Sequence, residues 1–255
     1  MTSGQDDLRF AALCDSVPGT AVYPTRRFRT EWGPIFHRGR LDGTARVLVI
    51  GQDPAAHEAM TRRILVGEAG HRVQGFLWKL GIDRSYVMIN SFVYSLYGTQ
   101  APKATPKLLE DRYRWLDLIL DTSPIEAVVT FGGVASSRWQ GYVADRQPAQ
   151  VPVQAGATHP TARVDEATLL ANWNTALKAL YPAITKRDRA TTLKLYKSAV
   201  AASERRAIPA FDLPAGMPRW MAAADEWAVR GDGRTKAPKA SRITVTIPPA
   251  SRAVR

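Results

Sequence analysis

Short unbroken apolar runs alternate along this chain with longer stretches whose apolar residues recur every three or four positions. Residues 46–50 form the first run, rich in β-branched side chains and preceded by the turn signal Asp42-Gly43. Residues 86–90 repeat the pattern as a second buried strand, 127–131 predict a third strand and 151–157 a fourth short one. Between them, residues 73–80 place Val73, Phe76, Leu77 and Leu80 on one helical face and stop at Gly81. Residues 107–120 predict a second helix, with Leu108, Leu109, Trp115, Leu116, Ile119 and Leu120 as its apolar set. Residues 134–139 predict a short third helix, and 167–180 a fourth with Asp165 and Glu166 at its positive end. Residues 8–14 carry a weaker helical period. Residues 22–41 read as loop, 57–63 as a mostly polar stretch and 65–70 as a small-residue loop.

Strands alternating with helices predict an α/β fold. Its form is a three-layer α/β/α sandwich around a central, mostly parallel four-stranded sheet. Right-handed crossovers bring the carboxyl ends of parallel strands to one rim, where open sheets hold their ligands. That rim receives Asp53, Asn90 and His159 from three separate strands. Taken singly, each has a structural alternative: Asp53 as a helix cap, Asn90 as a strand-end cap, His159 as a hydrogen-bonded structural histidine. His57 and Glu58 read as solvated residues at a helix start, with a place in the pocket lining as the lesser alternative. Trp115, Trp139 and Trp173 read as core.

Charge narrows the classes of partner. The 255 residues carry a net charge of +12, which attracts polyanions. In the 22–41 loop Arg26, Arg27, Arg29, Arg38 and Arg40 are interleaved with Phe28, Trp32 and Phe36. That mixture suits a nucleic-acid surface and equally a loop packed over a sheet edge. No long apolar run predicts a membrane span, and the first residues carry no secretory pattern, so a cytoplasmic protein with no membrane partner is expected. With one cysteine, Cys14, and four scattered histidines, no disulfide, metal site or cluster is expected.

Three motifs together resemble the uracil-DNA glycosylase superfamily. They are Gly51-Gln52-Asp53-Pro54, the strand end Ile89-Asn90, and Thr158-His159-Pro160-Thr161-Ala162-Arg163. Leu65-Val66-Gly67-Glu68-Ala69-Gly70 is similar to a segment of the iron–sulfur class of that superfamily. The four cluster cysteines of that class are absent here. The resemblance implies a monomeric enzyme without cofactor. It would hydrolyse the N-glycosidic bond between uracil and deoxyribose in single- or double-stranded DNA, release uracil and initiate base excision repair.

In that role Asp53 activates or positions water and stabilises the sugar cation, and His159, as a neutral donor, stabilises the uracil anion. Asn90 reads uracil, because one amide offers both an acceptor for N3–H and a donor for O4. Gly51, Gln52, Pro54, Ala55 and Leu65 would line the substrate site, with the Gln52 backbone N–H as a further donor. Lys103, Thr161, Arg163 and Val164 would contact DNA around an extruded nucleotide. Three positions depart from the family: Ala55 stands where the main class has Tyr, Leu65 where it has the stacking Phe, and Arg163 where it has a Leu wedge. Phe92 is the candidate to replace the missing stacking ring. The departures leave open two other functions: a non-catalytic binder of uracil-containing or abasic DNA, or a glycosylase for another damaged base.

The implied organisation is a catalytic domain over residues 1–182. A basic, helical extension over 183–230 packs on it, and a basic, disordered tail spans 231–255.

Overall fold

The computed structural model describes residues 8–98, 101–209 and 212. Strands β2 (Val47–Gly51), β3 (Tyr86–Asn90) and β4 (Ala127–Phe131) are buried at every position, as unbroken apolar runs require of strands covered on both faces. β5 (Val153–Ala157) lies at one edge and β1 (His37–Gly39) at the other, in the order β1-β3-β2-β4-β5. β2 pairs parallel with both β3 and β4, and β4 parallel with β5; only β1 runs antiparallel, against β3.

The two-residue period of a strand sends alternate side chains to opposite faces. Val47, Val49, Met88 and Val129 therefore meet Val73, Phe76, Leu77 and Trp173, which project from α3 (Gly67–Lys79) and α6 (Glu166–Leu180). Leu48, Ile50, Val87 and Val128 face the other way. They meet Phe10, Trp115, Ile119 and Trp139, from α1 (Leu8–Asp15), α4 (Pro106–Thr122) and α5 (Gly133–Arg146). The result is a three-layer α/β/α sandwich. A third cluster, with Tyr23, Phe28, Phe92, Tyr94 and Leu108, packs beyond the carboxyl end of β3. Short α2 (Ala56–Thr61) follows β2 directly.

The sheet has five strands, not the expected four. β1 reads His37-Arg38-Gly39, too short and too polar to announce itself. Its Arg38 is fully buried because Asp212 pairs with it at 3.0 Å, and Gln74 accepts a second N–H at 3.2 Å. Neutralisation from 174 residues away is what admits a charged residue to the sheet edge.

The extension also departs from expectation. Residues 186–206 hold no α-helix, only a 3-10 turn at Ala202–Glu204. Side chains of the sandwich satisfy the backbone of this strap instead. Asn174 bonds both the N–H and the C=O of Tyr196, at 2.8 and 3.0 Å, and Glu166 accepts the Val200 N–H at 2.9 Å. Asp188 in return accepts the N–H groups of Asp83, Arg84 and Ser85 at 2.8 to 2.9 Å. Gly75 permits the closest approach: a β-carbon there would lie 1.9 Å from the Glu204 carbonyl oxygen. The tail over 231–255, and residues 213–230 of the extension, lie outside the described residues.

Candidate active site

At the carboxyl ends of β2, β3, β4 and β5 lies a cavity of about 570 Å³. Gln52, Asp53, Pro54, Ala55, Leu65, Asn90, His159 and Thr161 all line it. The three residues of the rim argument and five more from the resemblance thus lie in one place. Gly51 lies beneath, buried against Asn90: a β-carbon on Gly51 would sit 2.2 Å from Asn90 Oδ1. Lys103, Arg163 and Val164 do not line the cavity and stand on exposed loops.

Asp53 follows β2, where Gly51 and Gln52 are stitched to the end of β3. The Gly51 carbonyl accepts the Ser91 N–H at 2.9 Å and the Gln52 carbonyl accepts the Phe92 N–H at 3.0 Å. Its carboxylate is aimed by two donors: the Leu96 N–H reaches Oδ2 at 2.9 Å, and the Gln52 side-chain amide reaches Oδ1 at 3.0 Å. Burial pushes the Asp53 carboxyl above the usual carboxylate range, and those two hydrogen bonds oppose the rise.

Asn90 ends β3 and is 2% exposed. Its backbone carbonyl lies 3.5 Å from Arg112 Nη1, while no described side chain holds its amide. His159 follows β5. Its Nδ1 accepts the Thr161 N–H at 3.3 Å and lies 3.2 Å from Thr161 Oγ1. A nitrogen that accepts carries no proton, so this contact assigns the imidazole proton to Nε2. Burial lowers the His159 pKa, which keeps the ring neutral at pH 7. The Thr158 N–H donates to Asn172 Oδ1 at 2.5 Å, and Trp173 donates to the Thr158 carbonyl at 2.7 Å. α6 thereby fixes the histidine's approach.

Two lining side chains that were not among the chosen site residues bear on the chemistry. Phe131, at the end of β4, lines the cavity; Phe92, proposed as the stacking ring, is buried in the third cluster and does not. The rule that selected Asp53, Asn90 and His159 picks out Phe131 when applied to the fourth strand. Glu58 is the other. Expected to be solvated, it is 6% exposed and lines the cavity beside His57 and Glu68. Its Oε2 accepts the Ala55 N–H at 2.6 Å, capping α2 and fixing the turn after Asp53. Burial, with the Asp53 charge as a lesser cause, pushes the Glu58 carboxyl up to about 7, against the backbone N–H groups that lower it.

A raised carboxyl favours the folded state when protonated. The stabilisation is complete below the ordinary value of 4.5 and is lost as pH rises to about 7. Relative to Glu58→Gln, the wild type should lose about 3 kcal/mol of stability across that window. Urea unfolding of both proteins at several pH values checks this; parallel curves would refute it.

Among the described residues no group of His, Cys, Asp and Glu is placed to hold a metal ion, and no helix is long and apolar enough to cross a membrane. What the cavity does offer is a half-buried carboxylate, a neutral N–H donor and an unengaged amide. That set can serve a reaction in which positive and negative charge develop on neighbouring groups.

No curated protein matches the chain. The family model described as the uracil DNA glycosylase superfamily matches residues 38–202, more than half of the chain, and spans every residue of the cavity. The match supports a glycosylase-type function with DNA as the partner. With these strand ends meeting in one cavity inside the matched region, the chain belongs to the uracil DNA glycosylase superfamily.

Proposed function

We propose that the protein hydrolyses the bond between uracil and deoxyribose in DNA. The observation that carries this reading is the convergence of Asp53, Asn90 and His159 on one cavity. The duplex buries its bases, so the target nucleotide must turn out into that cavity. Breaking the N-glycosidic bond leaves positive charge on the sugar and negative charge on the departing base. The Asp53 carboxylate stabilises the cation and positions water on it. The Nε2–H of His159 holds the developing anion at a carbonyl oxygen of uracil. Asn90 accepts from uracil N3–H and donates to O4; cytosine presents the opposite pattern there. The Gln52 N–H is a second donor to the base, and Phe131 with Leu65 supplies apolar wall. Thr161, Lys103, Arg163 and Val164 contact the DNA around the cavity.

A uracil-containing oligonucleotide tests the proposal. Incubation followed by alkali should break the strand at uracil, and intact strand after long incubation with folded protein refutes it. The site also supports a second reading, another excised base. Ala55 is exposed at the cavity and sets no bulky side chain there. A panel with hypoxanthine, xanthine and thymine opposite guanine separates the two.

Gly51→Ala is an internal control on Asn90. Its methyl group would sit where Asn90 Oδ1 lies, so either the amide leaves its place or the strand end shifts. Uracil excision should fall at least about tenfold, because one misplaced buried hydrogen-bonding group costs roughly 1–3 kcal/mol. Excision unchanged in the variant would remove Asn90 from base recognition.

A further inference from the structure

The loop that precedes β1 carries arginines whose place the reaction does not explain. Its aromatic Phe28 and its first two cations face different ways. Phe28 is 1% exposed and packs on Tyr23 and Phe92, with ring centroids 5.0 and 5.6 Å away. Arg26 and Arg27 are exposed, and neither guanidinium has a partner among the described residues. Arg29 is held between two rings, its guanidinium carbon 4.7 Å from the Trp32 centroid and 4.1 Å from that of Tyr97. The acid in this stretch, Glu31, accepts the Tyr97 hydroxyl at 2.8 Å.

The loop is fastened to a wall of the cavity. The Arg29 N–H donates to the Ser95 carbonyl at 2.8 Å, the Tyr97 N–H donates to the Arg27 carbonyl at 2.9 Å, and Phe28 bridges Leu96. Ser95 and Gly98 line the cavity, and Leu96 donates to Asp53. The same backbone that aims the carboxylate therefore carries the arginine loop. An ordinary loop over a sheet edge would need Phe28 to point inward; it would not need two exposed arginines and a third ordered on aromatic rings beside the backbone that lines the cavity. Long cationic side chains on a rigid backbone are what a phosphate chain binds, and stacking on aromatic rings orders the guanidinium before contact.

We propose that Arg26, Arg27 and Arg29 form a phosphate-binding track for the DNA strand that leads into the cavity. The track is fastened to the Ser95–Tyr97 backbone, a different segment from the Thr161–Arg163 loop, so it would add a second grip on the strand. This rests on the glycosylase reading for the identity of the strand, and on the loop's own geometry for its binding.

The test is the salt dependence of affinity for a single-stranded oligonucleotide without uracil. Arg26→Ala/Arg27→Ala is compared with Lys178→Ala/Lys186→Ala, which removes the same charge from exposed positions at the far end of α6 and beyond it. Each phosphate contact contributes about 0.7 to the slope of log affinity against log salt on single strands. The arginine variant should lose about 1.4 from that slope and the lysine variant nothing. Gln at the two arginine positions should reproduce the loss. Equal slopes in the arginine and lysine variants would overturn the proposal. Uracil excision by the wild type, measured beside it, judges the glycosylase reading separately: a slope loss without excision leaves the track standing and removes the reaction.

Discussion

Asp53→Asn is expected to lower single-turnover uracil excision by about 10²- to 10³-fold, with affinity for uracil-containing DNA held within about twofold. The substitution keeps the side chain's size and removes its charge. One oxygen of the amide can still accept the Leu96 N–H that holds Asp53 Oδ2 at 2.9 Å. What disappears is the negative charge that the proposed reaction would need beside the sugar only as the bond breaks. An interaction made in the transition state alone affects turnover and not binding. The pH profile carries the same signature. Burial raises the Asp53 pKa above 3.8, so wild-type excision should fail on acidification at a pH higher than an ordinary carboxylate would give. That acid limb should be missing from the residual activity of the variant.

His159→Ala should cost a similar 10²- to 10³-fold, by removing the donor at the departing base. Here the electrostatic argument concerns a neutral group. Nδ1 is committed to accepting from Thr161, so in the proposed reaction the ring would serve the base as an Nε2–H donor without a formal charge. Burial lowers the His159 pKa below 6.5, so between pH 6.5 and 8 the rate should show no step from this histidine. Full excision by His159→Ala, or a step near pH 6.5 that vanishes with it, would contradict the assignment.

The sequence made the three buried central strands legible, β3 and β4 to the residue, because uninterrupted apolar runs bounded by polar residues admit few other structures. It made the rim legible because parallel strands have only one carboxyl edge. What stayed hidden depended on partners remote in the chain. β1 is a strand because Asp212 neutralises Arg38. Residues 186–206 have an Ala- and Lys-rich, helix-favouring composition. They form an irregular strap and not an α-helix because Asn174, Glu166 and the Gly75 approach satisfy and admit their backbone, a tertiary override of propensity. Glu58 lay in the mostly polar stretch 57–63, which overlaps the six-residue α2, and only packing shows that its carboxyl turns inward. Phe131 was within reach of the strand-end rule, whereas Phe92 was chosen by its residue type.

A crystal structure of Asp53→Asn with a uracil-containing oligonucleotide tests the central claim most directly. The account predicts a turned-out uracil whose N3 and O4 meet the Asn90 amide, with O2 at His159 Nε2 and the sugar's C1′ against residue 53. A nucleobase left in its stack, or one seated in the cavity out of reach of Asn90 and His159, would contradict it.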